Sequence, residues 1–312
     1  MNKPINSVLS AVAVVVVAIV LALAWTPKNL EDVQVPSNAK SSPPELVFEM
    51  ISSEYEAKIL GVRILIVPGH DLLSRGAAFR GQTEESLTRE LGQELENILL
   101  VDGRFEVITA RDFTSGQYTD EFAAYFASAE TQIKRFRTSV QETMDRLVKS
   151  GRIEETKPVM KHNFAAEDVS LKLYGINKWA NENNIDLALH IHFNDYPRRD
   201  TRVAGRYKGF AIYAPERQFG NSGDSRKVAQ DIFQSLSYVA ATSTFPLESA
   251  GIIETQDLIA AGSYNSQTHP ALLIEYGYIY EPKFSVEGRR GKSLPILAEA
   301  TYRGIVRHFF GR

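Results

Sequence analysis

The chain has 312 residues, 44% of them hydrophobic and 23% charged, with a formal net charge of -3 and no cysteine. That composition excludes wholesale disorder. Without cysteine there is no disulfide scaffold, thiolate nucleophile, iron–sulfur cluster or Cys-based zinc finger, so any metal must rest on carboxylates and the six histidines. The mild acidity gives no reason to expect nucleic acid as a partner.

In chain order the first feature is an uncharged run at 8–25, VLSAVAVVVVAIVLALAW, with only Ser10 polar. Eighteen residues of helix span roughly 27 Å, enough for a hydrocarbon core. The run is expected to be a transmembrane signal anchor, or a signal peptide cut after Ala24 of the Ala22-Leu23-Ala24 pattern. Either way the remainder is exported, and the expected location is extracytoplasmic, at the outer face of the cytoplasmic membrane. Residues 26–45 hold four prolines with Ser, Asn and Lys and read as an extended linker. The folded part is expected over 46–312.

Within it, VRILIV at 62–67 is a short apolar run between Gly61 and Pro68, as suits a buried strand. Leu87, Leu91, Leu95 and Ile98 recur at helical spacing and predict a helix over 84–100 with Thr83 as N-cap. Further strands are expected at 105–109, 186–193, 209–213 and 271–275, and helices at 225–240 and 295–309. Strands alternating with helices imply an α/β domain with a mainly parallel open sheet and helices on both faces. A long amphipathic helix over 122–147, apolar at 122, 126, 129, 133, 136, 140, 144 and 147, breaks that rhythm. It needs a covering surface, on its own domain or on another chain.

Ligands of open α/β sheets gather at the carboxyl ends of strands. His70 follows the first strand, His190 and His192 stand near the end of the third on one face, and Glu275 ends the ALLIE strand. Glu84 opens the helix leaving the His70 loop. A carboxylate ending an apolar strand is costly unless paired or functional. Two imidazoles and one carboxylate are a zinc-type ligand set that leaves a position for water, and another carboxylate in reach can carry the proton. His162, His269 and His308 lie in loops or the last helix and read as surface or packing residues.

The ordered segments PGHD (68–71), RGAAFRGQTEESLTREL (75–91), DLALHIHFND (186–195) and PALLIEYGYI (270–279) resemble the zinc-dependent N-acetylmuramoyl-L-alanine amidases, the cell-wall amidases. The resemblance covers about 63–312. It implies Zn²⁺ on His70, Glu84 and His192, with Glu275 as the catalytic glutamate. It places Asn194 on the Asn of the family's SIHAN-type motif. The basic cluster Arg198, Arg199, Arg202 and Arg206 follows that strand. It reads either as a solvated loop or, from its position beside the site, as a contact for the carboxylates of a stem peptide, with Arg198 and Arg199 as the candidates. His190 stands where the family has Ser and could bind the metal in place of His192 or together with it, while Glu85 is a rival to Glu84. Motif register favours His192, and the offsets of Leu87 and Leu91 favour Glu84. Asp71 and Leu72 replace two family glycines, Ser74 replaces an Asp, and Tyr280 replaces an Asn.

The function so implied is cleavage of the amide between N-acetylmuramic acid and L-alanine in peptidoglycan. A zinc peptidase acting on the stem peptide and a non-catalytic peptidoglycan-binding or regulatory protein are the alternatives. The excess length between Arg111 and the HIHFN strand implies a helical insertion at about 113–165, read as a lid or as the docking site of an activator protein.

Overall fold

The computed structural model describes residues 61–156, 165–196, 198, 200–262 and 264–311. The apolar run at 8–25, the linker at 26–45, His162 and Arg199 lie outside the described residues. Among those that are described, no helix is long and apolar enough to cross a membrane.

The elements are β1 (Val62–Pro68), β2 (Ala78–Phe79), β3 (Gln82–Thr83), α1 (Glu84–Val101), β4 (Phe105–Thr109), α2 (Asp120–Lys149), α3 (Glu167–Glu182), β5 (Leu187–Asn194), β6 (Ala211–Pro215), α4 (Ser222–Ser237), β7 (Ile252–Thr255), β8 (Ala271–Tyr278), α5 (Pro282–Ser285) and α6 (Glu287–Phe310). A 3₁₀ turn at Pro246–Glu248 precedes β7. The six-stranded sheet runs β4-β1-β5-β8-β6-β7. β4, β1, β5 and β8 are parallel, β6 is antiparallel to β8, and β7 is parallel to β6. The mainly parallel α/β domain is thus observed, with a reversed pair of strands at one edge. β5 reaches β6 without a helix, so the chain turns back at the same end of the sheet and β6 must run antiparallel.

Strand pleating sorts the core into two layers. Ile64, Ile66, Leu189, Ile191, Leu272 and Ile274 face Leu87, Leu91 and Leu95 of α1, Val228 and Ile232 of α4, and Leu297 and Ile305 of α6. Leu65, Val67, Ala188 and Ala271 face Phe122 of α2 and Ile176 and Trp179 of α3. The Thr83 hydroxyl accepts from the Ser86 amide and caps α1 as expected. The last helix begins at Glu287, before its expected start at Pro295. The added turns are held from outside, because Arg290 bonds Glu90 at 2.8 Å and Gln82 at 2.6 Å.

Helix α3 and strand β7 are absent from the sequence expectation. α3 carries Gly175, which packs close beneath Phe126 of α2, so tertiary contact rather than propensity sustains it. The apolar stripe of α2 is covered within the domain. Ala129, Ile133 and Val140 pack with Tyr174 of α3, and Phe136, Leu171, Ile259 and Tyr264 extend that cluster. Beyond α2, the Glu154 amide donates to Gln218 at 2.8 Å and the Thr156 amide to Gln256 at 3.0 Å. These partners follow β6 and β7, at the end of the sheet away from the carboxyl ends of β5 and β8. The docking expected of the inserted helix is therefore left with its polar outer face.

His269 is packed at the start of β8, 1% exposed, with Nε2 unpartnered. Burial holds its pKa down to about 4. Its neutral form stabilises the fold fully above the unfolded value near 6.5, and that contribution is lost as pH falls towards 4. Replacing His269 with Phe should flatten the fall in unfolding free energy between pH 7 and 4.5 by about 2–3 kcal/mol. Parallel denaturation curves for the two proteins would contradict this assignment.

Candidate metal centre

Three elements converge at the carboxyl end of the sheet. The loop after β1 carries His70, the first residue of α1 is Glu84, and β5 carries His192. Glu84 bridges the two imidazoles: Oε2 lies 2.9 Å from His70 Nε2 and Oε1 lies 3.0 Å from His192 Nδ1. Ligand atoms of the three residues all lie within 4.8 Å of one another. Two backbone amides fix the carboxylate, Ala77 N on Oε2 at 3.1 Å and Phe193 N on Oε1 at 3.2 Å.

The local chain is shaped around these groups. His70 itself adopts φ 65°, a left-handed conformation uncommon outside glycine. Asp71, which replaces a family glycine, closes the turn. Its Oδ1 accepts from Leu73 N at 3.0 Å and Ser74 N at 2.7 Å, and its other oxygen lies 3.8 Å from Lys172 of α3. Gly69 lies under His192, where an added Cβ would sit 2.5 Å from the ring. At Gly76, with φ +69°, an added Cβ would fall 2.5 Å from Glu84 Oε2 and 2.6 Å from His70. Gly76→Ala should thus displace two candidate ligands at once and weaken metal binding at least tenfold in a folded protein, as read by chelator competition. Wild-type affinity in that variant would show that the cluster does not hold the metal.

The electrostatics suit a cation. Burial alone would raise Glu84, but the hydrogen bonds and charges of His192 and His70 overcome it and hold the carboxyl far below the usual carboxylate range. Burial lowers His192, and the hydrogen bond to Glu84 only partly offsets it. For His70 burial also acts downward, but the bond to Glu84 and the carboxylate charge prevail and its pKa rises. Glu84 is therefore ionised and His192 favours its neutral, ligating form.

Glu275 pairs in register with His192 on the neighbouring strand. It is 8% exposed, and its Oε2 is buried without a hydrogen-bond partner. Burial, then the charges of Glu84 and Glu248, raise its pKa well above the ordinary value. Such a carboxyl is suited to receiving a proton.

The rivals are placed elsewhere. Glu85 is buried and paired with Arg89 one turn along α1. His190 shares the His192 face but lies two residues, about 7 Å, deeper along β5. It is 1% exposed, and burial, then the charges of His192 and His269, hold its pKa down to about 3. His308 bonds Asp231.

The three residues expected at the substrate differ in setting. Asn194 is buried and its amide donates to Glu248 at 2.7 Å. Arg198 is a peg for the loop after β5. It pairs with Asp195 at 2.8 and 2.9 Å, donates to the carbonyls of Ala78, Thr201 and Val203, and stacks on Phe79 and Tyr280. The structure does not describe Arg199. Of the other arginines in that cluster, Arg202 pairs with Asp200 and Arg206 lies over Tyr207.

Two charged groups at the site had no sequence signal. Arg111, 4% exposed, stacks on Tyr118 at 4.0 Å and its charge reaches His70 and His192. Glu248 is 0% exposed and its charge reaches Glu275. Arg111, next to Asp112, and Glu248 both lie in connecting segments without periodicity, and only the folded chain shows that they are buried.

A family model described as N-acetylmuramoyl-L-alanine amidase matches residues 64–307. Among solved structures, the chain is similar to the N-acetylmuramyl-L-alanine amidase Ami1 from Mycobacterium smegmatis. Identity is 14% and the TM-score 0.53, over 82% of this chain and 100% of that one. It is also similar to the apo form of Ami1 from Mycobacterium abscessus, with 16% identity and a TM-score of 0.52, over 80% of this chain and 98% of the other. At these identities the likeness shows the fold. A search of curated proteins gives no match.

Proposed function

The chain belongs to the N-acetylmuramoyl-L-alanine amidase family, and we propose that it hydrolyses peptidoglycan at a zinc centre formed by His70, Glu84 and His192, with Glu275 carrying the proton. The observation that supports this most directly is the bridged His–Glu–His cluster with an unpartnered carboxyl oxygen on the next strand. Two imidazole nitrogens and one carboxylate oxygen are a donor set that suits zinc.

When bound, zinc would polarise the lactyl carbonyl, acidify the attacking water and offset the raised proton affinity of Glu275. Glu275 takes the proton of the water that attacks the carbonyl carbon. It then delivers that proton to the alanine nitrogen as the carbon–nitrogen bond breaks. The products are a muramic acid carboxylate and a peptide with a free amino terminus. The Phe193 and Ala77 amides hold Glu84 throughout, so the imidazoles keep their orientation.

The same reading places the domain outside the cytoplasmic membrane, where peptidoglycan lies, and rests on the apolar run at 8–25. Mass analysis of purified peptidoglycan digested by the zinc-loaded protein tests the reaction. The expected products are stem peptides beginning with free L-alanine. Cleavage inside the stem would make the protein a peptidase, and no release at stoichiometric zinc would make it a binding protein.

A further inference from the structure

Glu248 is completely buried in the 3₁₀ turn before β7, yet its carboxylate has no cationic partner among the described residues. Instead it accepts hydrogen bonds from four side chains. Oε1 accepts from Asn194 Nδ2 at 2.7 Å and Tyr213 Oη at 2.8 Å. Oε2 accepts from Ser243 Oγ at 2.5 Å and Tyr278 Oη at 2.9 Å. Charge-assisted bonds of this kind are the strong ones, and a set so complete offsets the cost of burying a charge.

The donors are placed meaningfully. His192 pairs with Glu275, and the next registered pair is Asn194 with Tyr278. β5 advances two residues between these pairs and β8 advances three, so β8 carries a one-residue bulge immediately after Glu275. Bulges bend a strand and re-aim the side chain beside them. Both members of the pair that closes this bulge donate to Glu248. Its third strand partner, Tyr213, lies on β6 in register with Leu273, diagonal to Glu275 on the same face.

We infer that Glu248 is a positioning residue for the amidase reaction: it clamps the bulge between β5, β6 and β8 and thereby fixes the direction in which Glu275 meets the metal centre. Glu248 touches neither substrate nor ligand; it acts through Asn194, Tyr278 and Tyr213. The inference rests on the amidase reading and assigns Asn194 to this clamp rather than to a bare substrate contact. A base displaced by about 1 Å loses as much as a hundredfold in rate, so a small relaxation of the bulge is sufficient.

The informative substitution is Glu248→Gln. Its amide group can be placed towards Ser243 and Tyr278, whose hydroxyls can turn to accept, so the side chain fits with its charge and half of its acceptors removed. The expected result, on full-length zinc-loaded protein, is a fall in kcat of about tenfold to a hundredfold, with KM and zinc affinity by chelator competition changed less than about twofold. Tyr278→Phe should lower kcat in the same direction, and the double variant should be no worse than Glu248→Gln alone, because both release one clamp. A purely structural residue would lower the unfolding temperature and leave kcat per folded, zinc-loaded molecule unchanged. That outcome overturns the inference, as do additive losses in the double variant. If Glu248→Gln does not fold, Tyr278→Phe alone decides, since it removes one bond from the clamp and leaves the carboxylate three donors. Absence of hydrolysis by the unmodified protein would instead count against the amidase reading.

Discussion

Replacing Glu275 with alanine is expected to reduce muropeptide hydrolysis at least about 100-fold while metal binding at the His70–Glu84–His192 cluster is kept. Glu275 lies outside the His70–Glu84–His192 cluster, so its loss leaves the candidate ligand set whole. It pairs with His192 across β5 and β8, and its free oxygen has no other partner among the described residues. Positioned proton transfer contributes about 10²–10⁴-fold, and in the proposed mechanism Glu275 serves both the attack and the departure of the nitrogen, so a loss in this range is expected. Glu275→Gln should be equally inactive and, in the metal-free protein, more stable at neutral pH. The sign follows from its raised pKa. A buried carboxyl that resists ionisation destabilises the fold above its unfolded value, and a neutral amide removes that penalty. Zinc content, product release and thermal unfolding on one preparation suffice to check this. Retained hydrolysis by either variant would remove Glu275 from the mechanism.

Replacing Glu84 with glutamine has the larger structural consequence. The carboxylate serves both imidazoles and accepts the Ala77 and Phe193 amides. A glutamine has one acceptor oxygen for these four neighbours and no charge. Metal affinity should fall by more than about 100-fold, beyond what loss of an outer-shell partner causes, and activity should go with it. One backbone amide is left unsatisfied, at a cost of about 1–3 kcal/mol. The pH response of the metal-free protein should change as well. With its pKa held far down, Glu84 stabilises the fold above the unfolded carboxyl value, and this is lost as pH falls. The His70 contribution has the opposite sign, present below the unfolded histidine value and lost as pH rises through its raised one. Isothermal titration with zinc reads the first effect directly. Stoichiometric, tight binding in Glu84→Gln would transfer the ligand role to another carboxylate such as Glu85.

Much of the candidate site was legible because polar residues on regular elements obey simple spacing, and the structure brings His70, Glu84 and His192 together. A period of two on a buried strand brings His190 and His192 to one face, and the cap at Thr83 puts Glu84 and Glu85 in the first turn of a helix. Within these pairs, the motif register of the resemblance favours His192 and Glu84. The choice between His190 and His192 was not legible from spacing, since both lie on one face. Depth along β5 separates them, for only His192 reaches the level of His70. Asn194 and Arg198 show the converse. Their position beside the centre was expected, but their partners, Glu248 for one and Asp195 with three carbonyls for the other, are set by loops without periodicity.

By itself the sequence determined the alternation of strands and helices, the apolar faces and the order in which the candidate ligands occur. Hydrophobic period and capping chemistry are local, and they survive without knowledge of what packs where. Only the tertiary structure decided the reversed edge strand β6, the helix α3, the fate of the α2 stripe and the carboxylate clamp at Glu248. Each of these depends on contacts between residues far apart in the chain. α3 is held by its partner helix, β6 by the lack of a crossover, and Glu248 by donors from β5, β6, β8 and the Ser243 loop. A buried charge is stable only when such distant groups converge on it.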